Sequence, residues 1–69
     1  MNPVAAVRRA LARMDERSRY VAERRADGLT YDQIGLEIGV TRERVRQLVA
    51  KIGRKIRQEQ KRQGLEDLL

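Results

Sequence analysis

Four polar residues within six positions of the chain could hydrogen-bond the edges of DNA bases: Arg42, Glu43, Arg46 and Gln47. Arginine can donate two hydrogen bonds to guanine, glutamine can bond adenine in a similar way, and a carboxylate can accept from cytosine. If the segment is helical, these side chains share one face, because residues three and four positions apart are neighbours. The first turns of a helix in the major groove would present all three chemistries. We therefore interpret the four as candidate base-contacting residues.

Glu43 is the informative member of this group. A carboxylate at the tip of a basic helix weakens non-specific attraction to phosphate, so its natural use there is the selection of a base. The structural alternative is that an acidic side chain in the first turn complements the helix dipole, worth about 0.3 to 1 kcal/mol. The two roles are compatible.

Positive charge is concentrated in the same part of the chain. Residues 1–41 hold seven basic and six acidic residues, residues 42–62 hold nine and two, and residues 63–69 hold two acidic and no basic residues. A basic helix is often only a solvated face, but its coincidence with the candidate base-reading segment indicates a polyanionic partner. Helix N-termini also bind phosphate through free N–H groups. The candidate phosphate-contacting residues are Thr30, Thr41, Arg44, Lys51, Arg54, Lys55 and Arg57.

The residues around this segment have the spacing of a helix-turn-helix. Five apolar residues fall at the positions that such a motif buries: Ile34, Ile38, Val40, Val45 and Leu48. Gly35 stands where only a small side chain lets the second helix approach closely, and Gly39 stands where the turn favours a left-handed backbone. Thr30 and Gln33 form a capping box, and Thr41 can cap the next helix. An ordinary helical hairpin explains the apolar spacing, but not the glycines, caps and charge together.

Start and stop signals predict four helices. Asn2 and Pro3 open a first helix of about 11 residues. Asp15 caps a second helix over residues 16–26, with Ser18 as an alternative start, and residues 27–28 form the turn that closes it. The third helix covers residues 31–38. The fourth starts after Thr41 and runs to about residue 63, where Gly64 supplies a C-terminal cap.

Helical spacing also predicts which side chains form the core. On the first helix these are Val4, Val7, Ala10, Leu11 and Met14. The second helix has a thin apolar face of Tyr20 and Val21, with the aliphatic stems of Arg17 and Arg24. The fourth turns Val45, Leu48, Val49, Ile52 and Ile56 inward and Arg42, Glu43, Arg46, Gln47 and Ala50 outward. Gly53 lies inside this run and favours a bend or fraying. The predicted fold is all-α: one compact four-helix domain over residues 1–64, with its helix-turn-helix core at 30–57 and a long basic recognition helix, followed by a short tail at 65–69.

Composition limits the possible functions. A chain of 69 residues is one domain at most, without room for both a core and a substrate cavity. It contains no Cys and no His, which removes thiolate chemistry and the commonest general base and metal ligand. We therefore expect no enzyme activity, no cofactor and no metal site. No apolar run approaches the roughly 20 residues that span a bilayer, so we expect no membrane association and a place in the cytoplasm, at the nucleoid.

Residues 30–35 and 40–57 closely resemble region 4 of primary bacterial sigma factors of the sigma-70 family. The resemblance covers residues 15–57 and is strongest over residues 40–47. It implies a four-helix domain that recognises the minus-35 promoter element and docks on the flap of the RNA polymerase beta subunit, through an apolar groove lined by the first two helices and the last one. By position, Arg42, Glu43 and Gln47 match base-contacting residues, whereas Arg46 and Lys51 match residues near phosphates or bound activators.

The chain also departs from the family pattern. Family members usually have a longer loop before the helix-turn-helix, an acidic residue in place of Val49 and an apolar one in place of Gly53. These two differences put the activator contacts beyond Ala50 in doubt. No segment resembles the sigma regions that bind core polymerase tightly and melt the minus-10 element, so we expect the chain not to act as a whole sigma factor.

Several functions fit these observations. The first is a small sequence-specific transcription regulator, encoded by a phage or another mobile element, that binds promoter DNA and contacts RNA polymerase; an excised region 4 of a longer sigma factor is a variant of it. The second is an interaction protein that mimics sigma on the beta flap, and the third is a DNA-packaging or recombination module that forms rings. A lone helix-turn-helix makes few contacts with DNA. We therefore expect either a homodimer, through the first helix or residues 65–69, or recruitment by polymerase.

Overall fold

The computed structural model describes residues 3–68 of the chain. They form four helices, α1 (Pro3–Ala12), α2 (Glu16–Ala26), α3 (Tyr31–Ile38) and α4 (Arg42–Leu68), and no strand occurs among them. The all-α prediction with four helices is confirmed. The predicted bounds of α2 and α3 are met at both ends, and α4 begins directly after Thr41 as expected. The predicted cap at Asn2 lies outside the described residues.

The core forms where α1, α2 and α3 pack against α4. Val21, Ile34 and Val45 are fully buried, one each from α2, α3 and α4. The inward stripe predicted for α4 is confirmed: Leu48 and Ile52 are buried in the same cluster, and Val49 and Ile56 pack against it half-buried. Since α4 has 27 residues, it is about 40 Å long and serves as the spine of the domain.

The helix starts are fixed by the predicted local hydrogen bonds. The Asp15 carboxylate accepts from the backbone N–H of Ser18 at 2.7 Å, so Asp15 is the cap and Ser18 lies inside α2. At α3, the Gln33 N–H donates to the Thr30 hydroxyl at 3.1 Å, and the Thr30 N–H donates to the Gln33 side chain at 2.8 Å. This is the predicted capping box. Gly28, at φ 94°, supplies the left-handed residue of the turn before it.

Two glycines shape the turn between α3 and α4. Gly39 ends α3 in the left-handed conformation, at φ 74°. A Cβ on Gly35 would lie 2.6 Å from the Val40 carbonyl oxygen, so the turn passes too close for any side chain. Both predicted roles are confirmed, and the close approach at Gly35 is made by the backbone that leads into α4.

The predicted core face of α1 is wrong at Val4, which is 55% exposed, whereas Ala6, which was not predicted, is fully buried. The predicted face of α2 is also partly wrong. Val21 is buried, but Tyr20 is 38% exposed and Arg17 is exposed. Successive residues are about 100° apart around a helix, so the buried face that includes Val21, Ser18 and Ala22 is centred near Ser18. Tyr20 lies about 160° from that centre, on the opposite side of the helix.

The two arginines of α2 predicted to cover the core with their stems, Arg17 and Arg24, form polar contacts with α3. Arg17 donates to the Ile38 carbonyl at 3.3 Å, and Arg24 forms a fork with both oxygens of Glu37 at 3.0 and 2.9 Å. The hydrogen bonds of this fork raise the pKa of Arg24 and lower the pKa of Glu37.

The predicted end of α4 is also wrong. The helix continues through Gly64 to Leu68 and is unbroken at Gly53. Glycine inside a helix costs only about 1 kcal/mol relative to alanine, and most of the surrounding residues are good helix formers, so a single glycine does not stop the helix. The side chains of residues 65–69 lie outside the described part of the structure.

Candidate nucleic-acid interface

The first turns of α4 present the four candidate base-contacting residues to solvent. Arg42, Glu43, Arg46 and Gln47 are all exposed, as predicted, while Val45 and Leu48 anchor the opposite side of the helix in the core. The Thr41 hydroxyl accepts from the Arg44 N–H at 3.2 Å and so caps the helix. The turn and the cap therefore hold a polar, outward face at the N-terminal end of α4, which we call the tip.

Glu43 and Arg46 are paired with each other on this face. The Arg46 guanidinium donates to both carboxylate oxygens, at 2.6, 2.9 and 3.1 Å. These hydrogen bonds lower the pKa of Glu43 and raise the pKa of Arg46, so both groups are charged at neutral pH. Both side chains are more than half exposed, and exposed pairs contribute little net energy. DNA can therefore replace the contact at small cost.

The other two tip residues have weaker partners. Arg42 lies 3.9 Å from the Asp32 carboxylate on α3, with both side chains largely exposed. Arg44 donates to the side-chain oxygen of Gln47 at a long 3.4 Å. Neither contact is short enough to fix a side chain against competition from a base or a phosphate.

The candidate phosphate-contacting residues fall into two groups. Thr30 and Thr41 are exposed at the starts of α3 and α4, and each hydroxyl, already an acceptor for a backbone N–H, retains its hydrogen to donate. The rest lie on α4: Arg44, Lys51, Arg54, Lys55 and Arg57. By helical rotation, Arg54 and Arg57 continue the face of Arg42 and Arg46, whereas Lys55 is turned to the side and is half-buried. The structure thus places Lys55 apart from the tip.

Arg25 joins the tip although its sequence position gave no indication of this. Its guanidinium lies 4.8 Å from the centre of the Tyr31 ring and donates to the Leu29 carbonyl at 2.7 Å. It lines a shallow hollow of about 400 Å³ together with Thr30, Tyr31, Asp32 and Arg42. A charge in the last turn of α2 normally complements the helix dipole. Only the packing of α2 beside α3 brings it next to the start of α4.

A second surface shares Arg25 with the hollow at the tip. It is an apolar groove of about 350 Å³ between α1, α2 and α4. Of the residues that line it, only Glu23 and Arg25 are charged; the others are Val7, Leu11, Ala22, Ala26, Val49, Ile52, Gly53 and Ile56. Val49 and Gly53, the two departures noted in the sequence, both lie in this groove.

The protein has the features of a DNA-binding helix-turn-helix protein. It has four helices and a capped helix-turn-helix, and α4, the second helix of that motif, is cationic and begins with a polar tip. Comparison with protein-family models matches residues 10–58 to Sigma-70, region 4. The chain belongs to this family, whose members are non-enzymatic DNA-binding domains associated with transcription. No curated protein and no solved structure gave a match. Within residues 3–68, no helix is long and apolar enough to cross a membrane.

Proposed function

We propose that the protein is a sequence-specific transcription regulator that reads promoter DNA through the first turns of α4. The observation that carries this proposal is the exposed tip, where Arg42, Glu43 and Gln47 stand on one face of a helix held by a helix-turn-helix. Arg42 would bond guanine, Gln47 adenine, and Glu43 would accept from cytosine. Arg46 either joins them or orients Glu43, with which it is paired in the free protein.

Phosphate contacts would set the register of this tip on the duplex. They would come from Thr30, Thr41, Arg44, Lys51, Arg54 and Arg57, and from Arg25, which lines the hollow beside Arg42. Lys55, predicted with them, is half-buried and turned to the side, so we leave it out of this set. Such contacts supply affinity without sequence information. We further propose that the protein acts in the cytoplasm, at the nucleoid.

Selection of bound duplexes from a random pool, with and without core RNA polymerase, tests base reading. We expect the protein alone to enrich a minus-35-like motif. Gln47→Ala should cost about 1 to 3 kcal/mol on the selected site and relax the choice at one base pair. Gln58→Ala is the matched control, because Gln58 is exposed on the same helix, about 16 Å further along. Equal losses on selected and random DNA for Gln47→Ala would refute the base-reading role.

We propose that the apolar groove binds the RNA polymerase beta flap. A groove of this size with an almost wholly uncharged lining suits an apolar segment of a partner. Val7→Glu, which places a charge in the groove, should abolish binding to a beta-flap fragment and leave binding to the selected DNA unchanged. Val4→Glu is the control on the same helix, since Val4 is 55% exposed and does not line the groove. Equal flap binding by the two variants would contradict the assignment.

The groove also favours a second candidate, an interaction protein that occupies the flap as a sigma mimic and for which DNA contact is secondary. This function predicts recruitment to polymerase that survives both Gln47→Ala and Glu43→Ala. Loss of promoter-dependent recruitment in either variant decides for the DNA reader. Sedimentation of the free protein tests the expected alternative of a homodimer.

A further inference from the structure

A buried carboxylate lies where α1 packs against α4. Glu59 is 5% exposed and, with Ser18, is one of the two polar residues buried in the described part of the chain. Charged side chains are rarely buried without a partner, because removal from water disfavours the ionised form. Its position in a polar segment, with glutamines on both sides and basic residues beyond them, would otherwise suggest a solvated residue.

Two arginines lie near the same carboxylate oxygen of Glu59. Arg13, just after α1, lies 2.8 Å from one carboxylate oxygen, and Arg62, one turn further along α4, lies 3.8 Å from the same oxygen. The second oxygen is buried and has no hydrogen-bond partner among the described protein atoms. Both arginines are more than half exposed. Glu59 and Arg13 therefore form an ion pair that links α4 to the end of α1, in which the carboxylate is buried and the guanidinium is exposed.

This link acts on the same helix that forms one wall of the apolar groove. Val7 and Leu11 of α1 line the groove, whereas Ala10 lies with Arg13 beside Glu59. The face of α1 against the core includes Ala6 and Ala10, which are fully buried but small. Small side chains allow close approach but restrain sliding and rotation poorly. A directional ion pair can supply that restraint.

We propose that Glu59 is a positioning residue for the groove: by holding Arg13 it fixes how α1 lies over α4, and so sets the separation of Val7 and Leu11 from the α4 wall. Glu59 does not itself line the groove. It and Arg62 follow the segment that matches the family model, which ends at residue 58. The consequence for polymerase binding rests on the function proposed above, whereas the consequence for α1 does not.

The test compares Glu59→Gln and Arg13→Ala with the control Glu16→Gln, which removes an exposed carboxylate from α2. Three quantities are measured: amide exchange in α1 and α3, methyl NMR signals of Val7, Leu11 and Val49, and affinity for the beta-flap fragment and the selected DNA. We expect both cluster variants to speed α1 exchange about tenfold with little change in α3, since local opening differs between segments. They should also shift the groove methyl signals.

Flap affinity should fall about tenfold, with DNA affinity unchanged, and Arg13→Lys should recover most of it because the charge is kept. Unchanged groove signals in both cluster variants would overturn the positioning role, as would a loss of DNA affinity equal to that of flap affinity, which indicates general destabilisation. If Glu59→Gln does not fold, Arg13→Ala tests the same contact from its exposed end. If the unmodified protein does not bind the flap, the polymerase proposal fails, and the exchange and methyl measurements still judge the role of Glu59.

Discussion

Gly35→Ala tests the central feature of the fold, the close passage of the turn beside α3. The added Cβ would lie 2.6 Å from the Val40 carbonyl oxygen and 3.5 Å from the Thr41 carbonyl carbon. Both atoms belong to the backbone, so no side chain can rotate away to relieve the contact. Gly53→Ala is the matched control, because Gly53 also lies inside a helix and a Cβ there meets nothing within 4 Å.

The expected magnitudes have opposite signs. Replacing glycine by alanine inside a helix gains about 0.5 to 1 kcal/mol. Overpacking a tight site costs about 1 to 3 kcal/mol and sometimes more, and a fixed backbone oxygen puts Gly35 at the upper end. The free energy of unfolding should thus fall by about 2 to 2.5 kcal/mol in Gly35→Ala and rise by about 0.5 to 1 kcal/mol in Gly53→Ala. For a domain of this size, 1 kcal/mol shifts Tm by about 4 to 8 °C.

Urea unfolding followed by far-ultraviolet circular dichroism measures both variants. The m-value should stay constant, so that a change in midpoint reports stability alone. If Gly35→Ala is stabilised as much as Gly53→Ala, the turn does not pass beside α3 as the structure places it, and the orientation of the α4 tip loses its physical basis.

Variants at three further positions test other parts of the molecule. Thr30→Ala should lower the free energy of unfolding by about 1 kcal/mol in urea titrations and Thr30→Ser by much less, since serine keeps the capping oxygen; equal losses would contradict the cap. The hydrogen bond from the Ser18 N–H lowers the pKa of Asp15 below its ordinary value. The ionised carboxylate therefore stabilises the folded protein fully when the pH is above the ordinary pKa, and this stabilisation is lost as the pH falls through the lowered pKa of the folded state. Asp15→Asn should remove this part of the acid dependence in unfolding at a series of pH values, and an unaltered profile would count against it. Arg54→Ala should weaken all DNA sequences alike and reduce the salt slope of binding by about 0.9, measured by anisotropy against salt, whereas a sequence-dependent loss would place Arg54 on a base.

The predictions from sequence that are confirmed depend on local chemistry. Asp15, Thr30 and Thr41 cap helices through hydrogen bonds to residues three positions away, and the left-handed conformation of Gly39 is set at one residue. All the residues that form each of these features lie within one short segment of the sequence. They predict where helices begin and how the turn into α4 is made.

Apart from the end of α4, the errors and omissions depend on which helices meet. Tyr20 was expected in the core because it is the bulky residue beside Val21, yet the face of α2 that α3 and α4 cover takes Ser18 and Ala22. Glu59 lies in a polar segment that contains several basic residues, and such a segment is typical of a solvated helix face. It is buried because α1 packs against α4. Arg25 reaches the tip for the same reason. Contacts between helices far apart in sequence have no local signal.

The free protein already pairs several cations of α4, and this bears on the sequence-specific DNA binding proposed above. Arg42 faces Asp32, Arg46 is bound by Glu43, and Arg62 faces Glu59. A count of the basic residues in α4 therefore overstates the positive charge that is available to random DNA. Some of these cations can bind a phosphate only if the acidic partner within the protein is displaced. At the tip, the two acidic partners are exposed and can be displaced by contacts with a matching base pair, because exposed pairs are weak. Glu43 and Asp32 thus lower the attraction for phosphate alone, and a matching sequence can compensate for the exchange by bonding both Arg42 and the carboxylate of Glu43. Selectivity would then arise as much from weakened binding of the tip to non-specific DNA as from the hydrogen bonds that it forms on a specific site.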